Sequence, residues 1–110
     1  MSRTFKGTIA NGATQYVGIN IVDGHIGTQI AWLDATSAAT ITLELTNYDA
    51  DAAPVTTAGT YQWVDSGESI TGPSGSAAGS ALLNMENVRQ RRGRLKIVAS
   101  ANCSIEVWEP

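Results

Sequence analysis

Hydrophobic and polar positions alternate along much of this chain with the period of two that β-strands require. Val17, Ile19 and Ile21 alternate with small or polar residues, and Ile26, Thr28, Ile30 and Trp32 do the same. Between the two runs stands Asp23-Gly24, a pair that tolerates the positive φ angles of a type I′ turn. A two-residue loop there sets Val22 opposite His25, Ile21 opposite Ile26, Ile19 opposite Thr28 and Val17 opposite Ile30. Turn and alternation agree on this register, so they predict a hairpin.

Thr40 to Thr46 reads as a strand with Ile41, Leu43 and Leu45 facing a core and Thr40, Thr42, Glu44 and Thr46 facing outward. Tyr61-Gln62-Trp63-Val64 reads as a shorter strand, and Phe5 to Ile9 as another. Near the C-terminus, Leu95, Ile97 and Ala99 alternate, as do Cys103, Ile105 and Val107. A Ser100-Ala101-Asn102 loop, with Asn102 at a left-handed bulge position, predicts a second hairpin. Its register pairs Ala99 with Cys103, Ile97 with Ile105 and Leu95 with Val107, and places Lys96 opposite Glu106 and Arg94 opposite Trp108. Residues 65–80, DSGESITGPSGSAAGS, are poor in large side chains and read as a flexible Gly/Ser-rich surface loop. Residues 81–88, ALLNMENV, fit either a helical turn or a strand, and we favour the strand.

Seven or eight short strands joined by turns predict an all-β, antiparallel β-sandwich of jelly-roll-like form, with a small barrel as the second architecture. At 110 residues the chain has room for a single domain, spanning 1–110. A net charge of −3 argues against general nucleic-acid binding, which needs a basic surplus to neutralise phosphates. That average conceals a division: residues 1–88 carry two basic against eight acidic side chains (−6), and residues 89–110 five against two (+3). No apolar run reaches membrane-spanning length, and the first residues show no apolar stretch behind their charges. A protein made in the cytoplasm and not exported by a signal peptide is expected, with no membrane partner.

Little in the chain carries chemistry. His25 is the lone histidine and falls beside a turn, with no activated serine motif to serve. Cys103 is the lone cysteine, so an intramolecular disulfide is impossible; its inward strand position predicts a buried thiol with a raised pKa. One Cys and one His do not make a zinc site. Asn47, Asp49 and Asp51 alternate like calcium ligands, but Ala52 and Ala58 stand where an EF-hand needs glycine and glutamate. Gly72-Pro73-Ser74-Gly75 lacks the Lys-Ser/Thr of a phosphate loop. The expectation is therefore no enzyme, no cofactor and no metal. Two surfaces are binding candidates. Arg89, Arg91 and Arg92 form a basic cluster on an otherwise acidic chain and suit a protein interface, whereas Arg94 is reserved for stacking on Trp108. Tyr61 and Trp63, on one face of their expected strand, would make an aromatic platform for a carbohydrate.

The strand Ala39 to Asn47 and the closing segment Gly93 to Trp108 resemble small structural proteins of tailed-bacteriophage virions. The resemblance implies a β-sandwich that decorates or cements a capsid, assembled in the host cytoplasm. Implied partners are the major capsid protein or another virion protein, together with copies of itself, a homotrimer first. The alternative from another class is a carbohydrate- or receptor-binding module at a fibre or spike tip.

Overall fold

The structure is a computed structural model that describes residues 2–34, 36–57, 61–72 and 79–110. Eight strands form among the described residues: β1 (Ser2–Ile9), β2 (Thr14–Ile19), β3 (Ile26–Trp32), β4 (Ala39–Thr46), β5 (Val64–Gly72), β6 (Gly79–Met85), β7 (Arg92–Ala99) and β8 (Cys103–Glu109). They make two four-stranded antiparallel sheets, ordered β1-β8-β3-β6 and β2-β7-β4-β5. Strands pair first with last: β1 with β8, β2 with β7, β3 with β6 and β4 with β5. The chain is thus one long hairpin bent between β4 and β5, then rolled so that β3 meets β8 and β4 meets β7. That wrapping is the jelly roll of the β-sandwich class.

Inward side chains of both sheets build the core. Ile30, Ile41, Leu43, Leu95, Ile97, Ile105 and Val107 are fully buried. Hydrophobic alternation on β2, β3, β4, β7 and β8 is satisfied by this core, and β4 buries Ile41, Leu43 and Leu45 as the pattern requires.

Neither expected hairpin forms, although both segments flanking each turn are strands. The Asp23-Gly24 turn is present, with φ of 52° and 76°, and Val22 and His25 exchange both backbone hydrogen bonds at 2.9 Å. The ladder stops at that pair, because β2 enters one sheet and β3 the other. Ile19 and Ile26 then approach from opposite sheets over Gly93, where a Cβ would stand 3.4 Å from each. Two strands facing each other across a core show the same alternation as two strands sharing a sheet, so the pattern cannot separate them. The same exchange separates β7 from β8, which removes the Lys96–Glu106 and Arg94–Trp108 pairs. Asn102 takes no left-handed conformation; its Oδ1 accepts the Asn11 N–H at 3.0 Å, and Ala99 bonds to Ala13 rather than turning into a hairpin.

The expected loop over 65–80 is also corrected. Residues 65–72 belong to β5 and residues 79–80 open β6; the remainder, including the Pro73-Ser74-Gly75 part of the glycine motif, lies outside the described residues. Small residues serve this edge strand. A Cβ on Gly72 would lie 2.9 Å from Cη2 and Cζ2 of Trp32, so the glycine supplies space for a buried indole. Ser66, Gly67 and Glu68 bulge out opposite Leu43 alone, with Gly67 at φ 90°. Residues 81–85 are strand, and Tyr61, Gln62 and Trp63 are irregular chain ahead of β5 rather than strand.

Candidate functional site

The long connection between β4 and β5 turns back over the outer face of its own sheet. Asp49 starts the turn, its Oδ1 accepting the N–H groups of Asp51 at 3.1 Å and Ala52 at 3.0 Å. The next segment covers the sheet, where Val55 packs onto Gly18 of β2 and would touch a Cβ there at 3.3 Å.

Arginines hold this strap. Arg94, only 1% exposed, donates from Nε to Glu44 Oε1 at 2.8 Å, has its Nη2 in ion-pair contact with the same oxygen at 2.8 Å, and donates from Nη1 to the carbonyls of Val55 and Thr57. Its guanidinium carbon lies 4.0 Å from the Tyr16 ring centroid and 4.4 Å from that of Trp63. Arg92 stacks on Trp63 as well, at 5.3 Å, and donates to the Ala53 carbonyl at 2.6 Å. A charged group buried in this way requires a carboxylate and acceptors around it; Glu44 of β4 provides the carboxylate and the strap provides the carbonyls.

Beside the clamp, where β4 ends, β5 begins and β6 ends, is a cleft of about 430 Å³. Tyr48, Tyr61, Val64 and Met85 supply its apolar wall, and Asp65 and Gln90 its polar one. Tyr48 and Tyr61 meet edge to face, 6.4 Å apart and inclined by 64°. Tyr61 is 69% exposed, and Tyr48 and Val64 also stand largely in solvent. Arg89 and Arg91 flank Gln90 in sequence, are exposed, and have no salt bridge among the described residues. The Arg91 N–H anchors that turn to the Thr46 carbonyl at 3.1 Å and to Asn47 Oδ1 at 3.2 Å.

No protein-family model matches the chain, and no curated protein is similar to it in sequence. Its surfaces must therefore be judged by their own chemistry. Of the expected basic cluster, Arg89 and Arg91 are exposed at the surface, whereas Arg92 is committed to Trp63 and Ala53 inside the fold. Arg94 is also internal, but on Tyr16, Trp63 and Glu44; Trp108 instead faces Arg3 at 5.9 Å, and Arg3 pairs with Glu106 at 3.2 Å. The expected Tyr61–Trp63 platform is divided. Trp63 is 6% exposed, with its Nε1–H donating to the Pro54 carbonyl at 3.3 Å, so Tyr61 has Tyr48 for a neighbour instead.

His25 is exposed at its turn. Cys103 is fully buried, and burial raises its thiol pKa above the ordinary 9.0. Asn47 and Asp49 are occupied with backbone N–H groups, and among the described residues no group of three or more His, Cys, Asp or Glu is placed to hold a metal. Sequence reasoning passed over Val64 and Met85 as residues of this cleft. Their one signal is that each stands at an end of its strand, Val64 opening β5 and Met85 closing β6.

Proposed function

We propose that this protein is a non-enzymatic structural subunit of a phage virion, a capsid-decorating or cementing component that works through protein–protein contacts. The observation that carries the contact reading is the cleft, which presents two exposed tyrosines, an exposed valine and a partly buried methionine beside two exposed arginines. Tyrosine, methionine and arginine are the types enriched where proteins meet, because they offer large contact area and planar polar bonding. The Arg92 and Arg94 clamp holds one wall of the cleft before any partner arrives, which lowers the ordering cost of binding. Arg89 and Arg91 select a partner surface bearing carboxylates, such as an acidic patch of a major capsid protein. The virion setting is supported by the resemblance of the β4 and β7–β8 segments to phage structural proteins.

The carbohydrate-module reading is the weaker one. A sugar platform needs flat rings presented together, and here Trp63 is buried while Tyr48 and Tyr61 meet edge to face. Sedimentation of particles from cells that make the protein tests the proposal. The wild type should travel with the particles, and the double variant Arg89→Glu, Arg91→Glu should remain in the slow fraction while still folded. A wild type absent from the particles, or a double variant incorporated normally, would overturn it.

A further inference from the structure

We infer that β6 is a self-pairing edge through which two copies of this chain join into one continuous sheet. A sheet edge presents unpaired N–H and C=O groups, and natural proteins blunt such edges with charge, proline or a bulge. Three of the four edge strands here carry such a device or a substitute for it. β1 bears Arg3 and Lys6 and a register shift between Arg3 and Phe5. β5 bears Asp65 and Glu68 around its bulge. β2 has its Tyr16 carbonyl occupied by the Gln15 amide at 3.3 Å.

β6, Gly79–Met85, has none of these. Its sequence GSALLNM contains no charge and no proline, and it runs in unbroken register against β3 from Ile26↔Met85 to Trp32↔Gly79. Beyond that ladder, no backbone group of another described residue bonds to its backbone. At its midpoint, Leu82 is 65% exposed.

The strand is complementary to itself. Full antiparallel overlap of the seven residues about a twofold axis sets Leu82 against Leu82, Ala81 against Leu83, Ser80 against Asn84 and Gly79 against Met85. Opposite residues in an antiparallel pair share a face. Leu82 would therefore cover Leu82 on the outer face, with a serine–asparagine pair on each side. Ala81 and Leu83 would meet on the inner face, extending both cores. No charge is buried and no like charges meet. A twofold contact of this kind is closed, so it yields dimers or even-numbered assemblies rather than the trimer the phage resemblance implies. It shares Met85 with the cleft but uses neither Tyr61 nor the arginines.

Analytical ultracentrifugation at high micromolar concentration tests it. The wild type should be dimeric, and Leu82→Lys, at an exposed position, should keep its circular dichroism spectrum yet weaken dimerisation by about tenfold or more. Arg89→Glu with Arg91→Glu should dimerise like the wild type. Under mild oxidation Leu82→Cys should form a disulfide-linked dimer, because directly opposed Cα atoms lie about 4.5–5.5 Å apart, within disulfide range. Val22→Cys, at a position 64% exposed, should not. A monomeric wild type, a trimer, a Leu82→Lys dimer as tight as the wild type, or equal cross-linking by both cysteine variants would overturn the inference.

Discussion

Replacing Arg94 with alanine should be among the costliest substitutions in the molecule, although Arg94 lies on the outer face of its sheet. The change leaves the Glu44 carboxylate, whose side chain is 13% exposed, without its cation, and strips the donor from the Val55 and Thr57 carbonyls. Removing one partner of a buried ion pair costs about 3–5 kcal/mol, since an uncompensated charge is left in a poor solvent for it. Loss of stacking on Tyr16 and Trp63 adds about 1 kcal/mol, not independently of the first figure. With a urea dependence of about 1–2 kcal/mol per molar, the expected loss of about 4 kcal/mol moves the unfolding midpoint down by about 2–4 M. Arg94→Lys keeps a charge but cannot span Glu44 and both carbonyls, so it should recover only part of the loss. Urea unfolding followed by circular dichroism measures all of this, and a double-mutant cycle with Glu44→Gln isolates the pair. A loss below about 1 kcal/mol for Arg94→Ala would refute the clamp, because that is the worth of a solvated surface pair.

Three further substitutions or conditions test other parts of the structure. Gly72→Ala drives a methyl into the Trp32 indole and should cost about 1–3 kcal/mol in thermal unfolding, with a changed near-ultraviolet spectrum; an unchanged melting curve would contradict that packing. The Ser37 hydroxyl, and after it the Thr36 hydroxyl, hold the Asp34 carboxyl below its ordinary 3.8. A depressed folded-state pKa contributes stability above 3.8 that is lost as pH falls through the folded value. Asp34→Asn should therefore show a shallower acid loss than the wild type in urea titrations below pH 3.8, and parallel curves would contradict this. Cys103, buried and with a raised pKa, should resist iodoacetamide in the native protein and react only on unfolding, as mass spectrometry would register.

Much of the fold was legible in the chain, but its wiring was not. Inward positions such as Ile41, Leu43, Ile97 and Ile105 follow from period-two alternation, which depends on burial and not on which strand lies alongside. Wiring depends on partner choice, and in a jelly roll sequence neighbours pair with each other only at β4 and β5. Asp23-Gly24 predicts a turn and makes one, yet that turn joins two sheets instead of two strands of one. Residues 65–72 form a strand despite their small side chains, which signal a loop because the purpose of Gly72, making room for Trp32, is invisible in the sequence. The candidate site was half legible. Arg89 and Arg91 follow from the reversal of charge along the chain. The commitment of Arg92 and the burial of Trp63 depend on a strap crossing from more than thirty residues away, as the Arg92–Ala53 bond shows. No local pattern encodes that contact.

The cleft itself can be interrogated most directly by a photo-activatable phenylalanine analogue in place of Tyr61, in cells where the particles assemble. Light should join the protein to another structural protein of the particle, within an acidic stretch of that partner, and Arg89→Glu with Arg91→Glu should abolish the adduct. If the protein is present in the particles and Tyr61 joins nothing there, while the same analogue at another exposed position does, the cleft is not the contact surface.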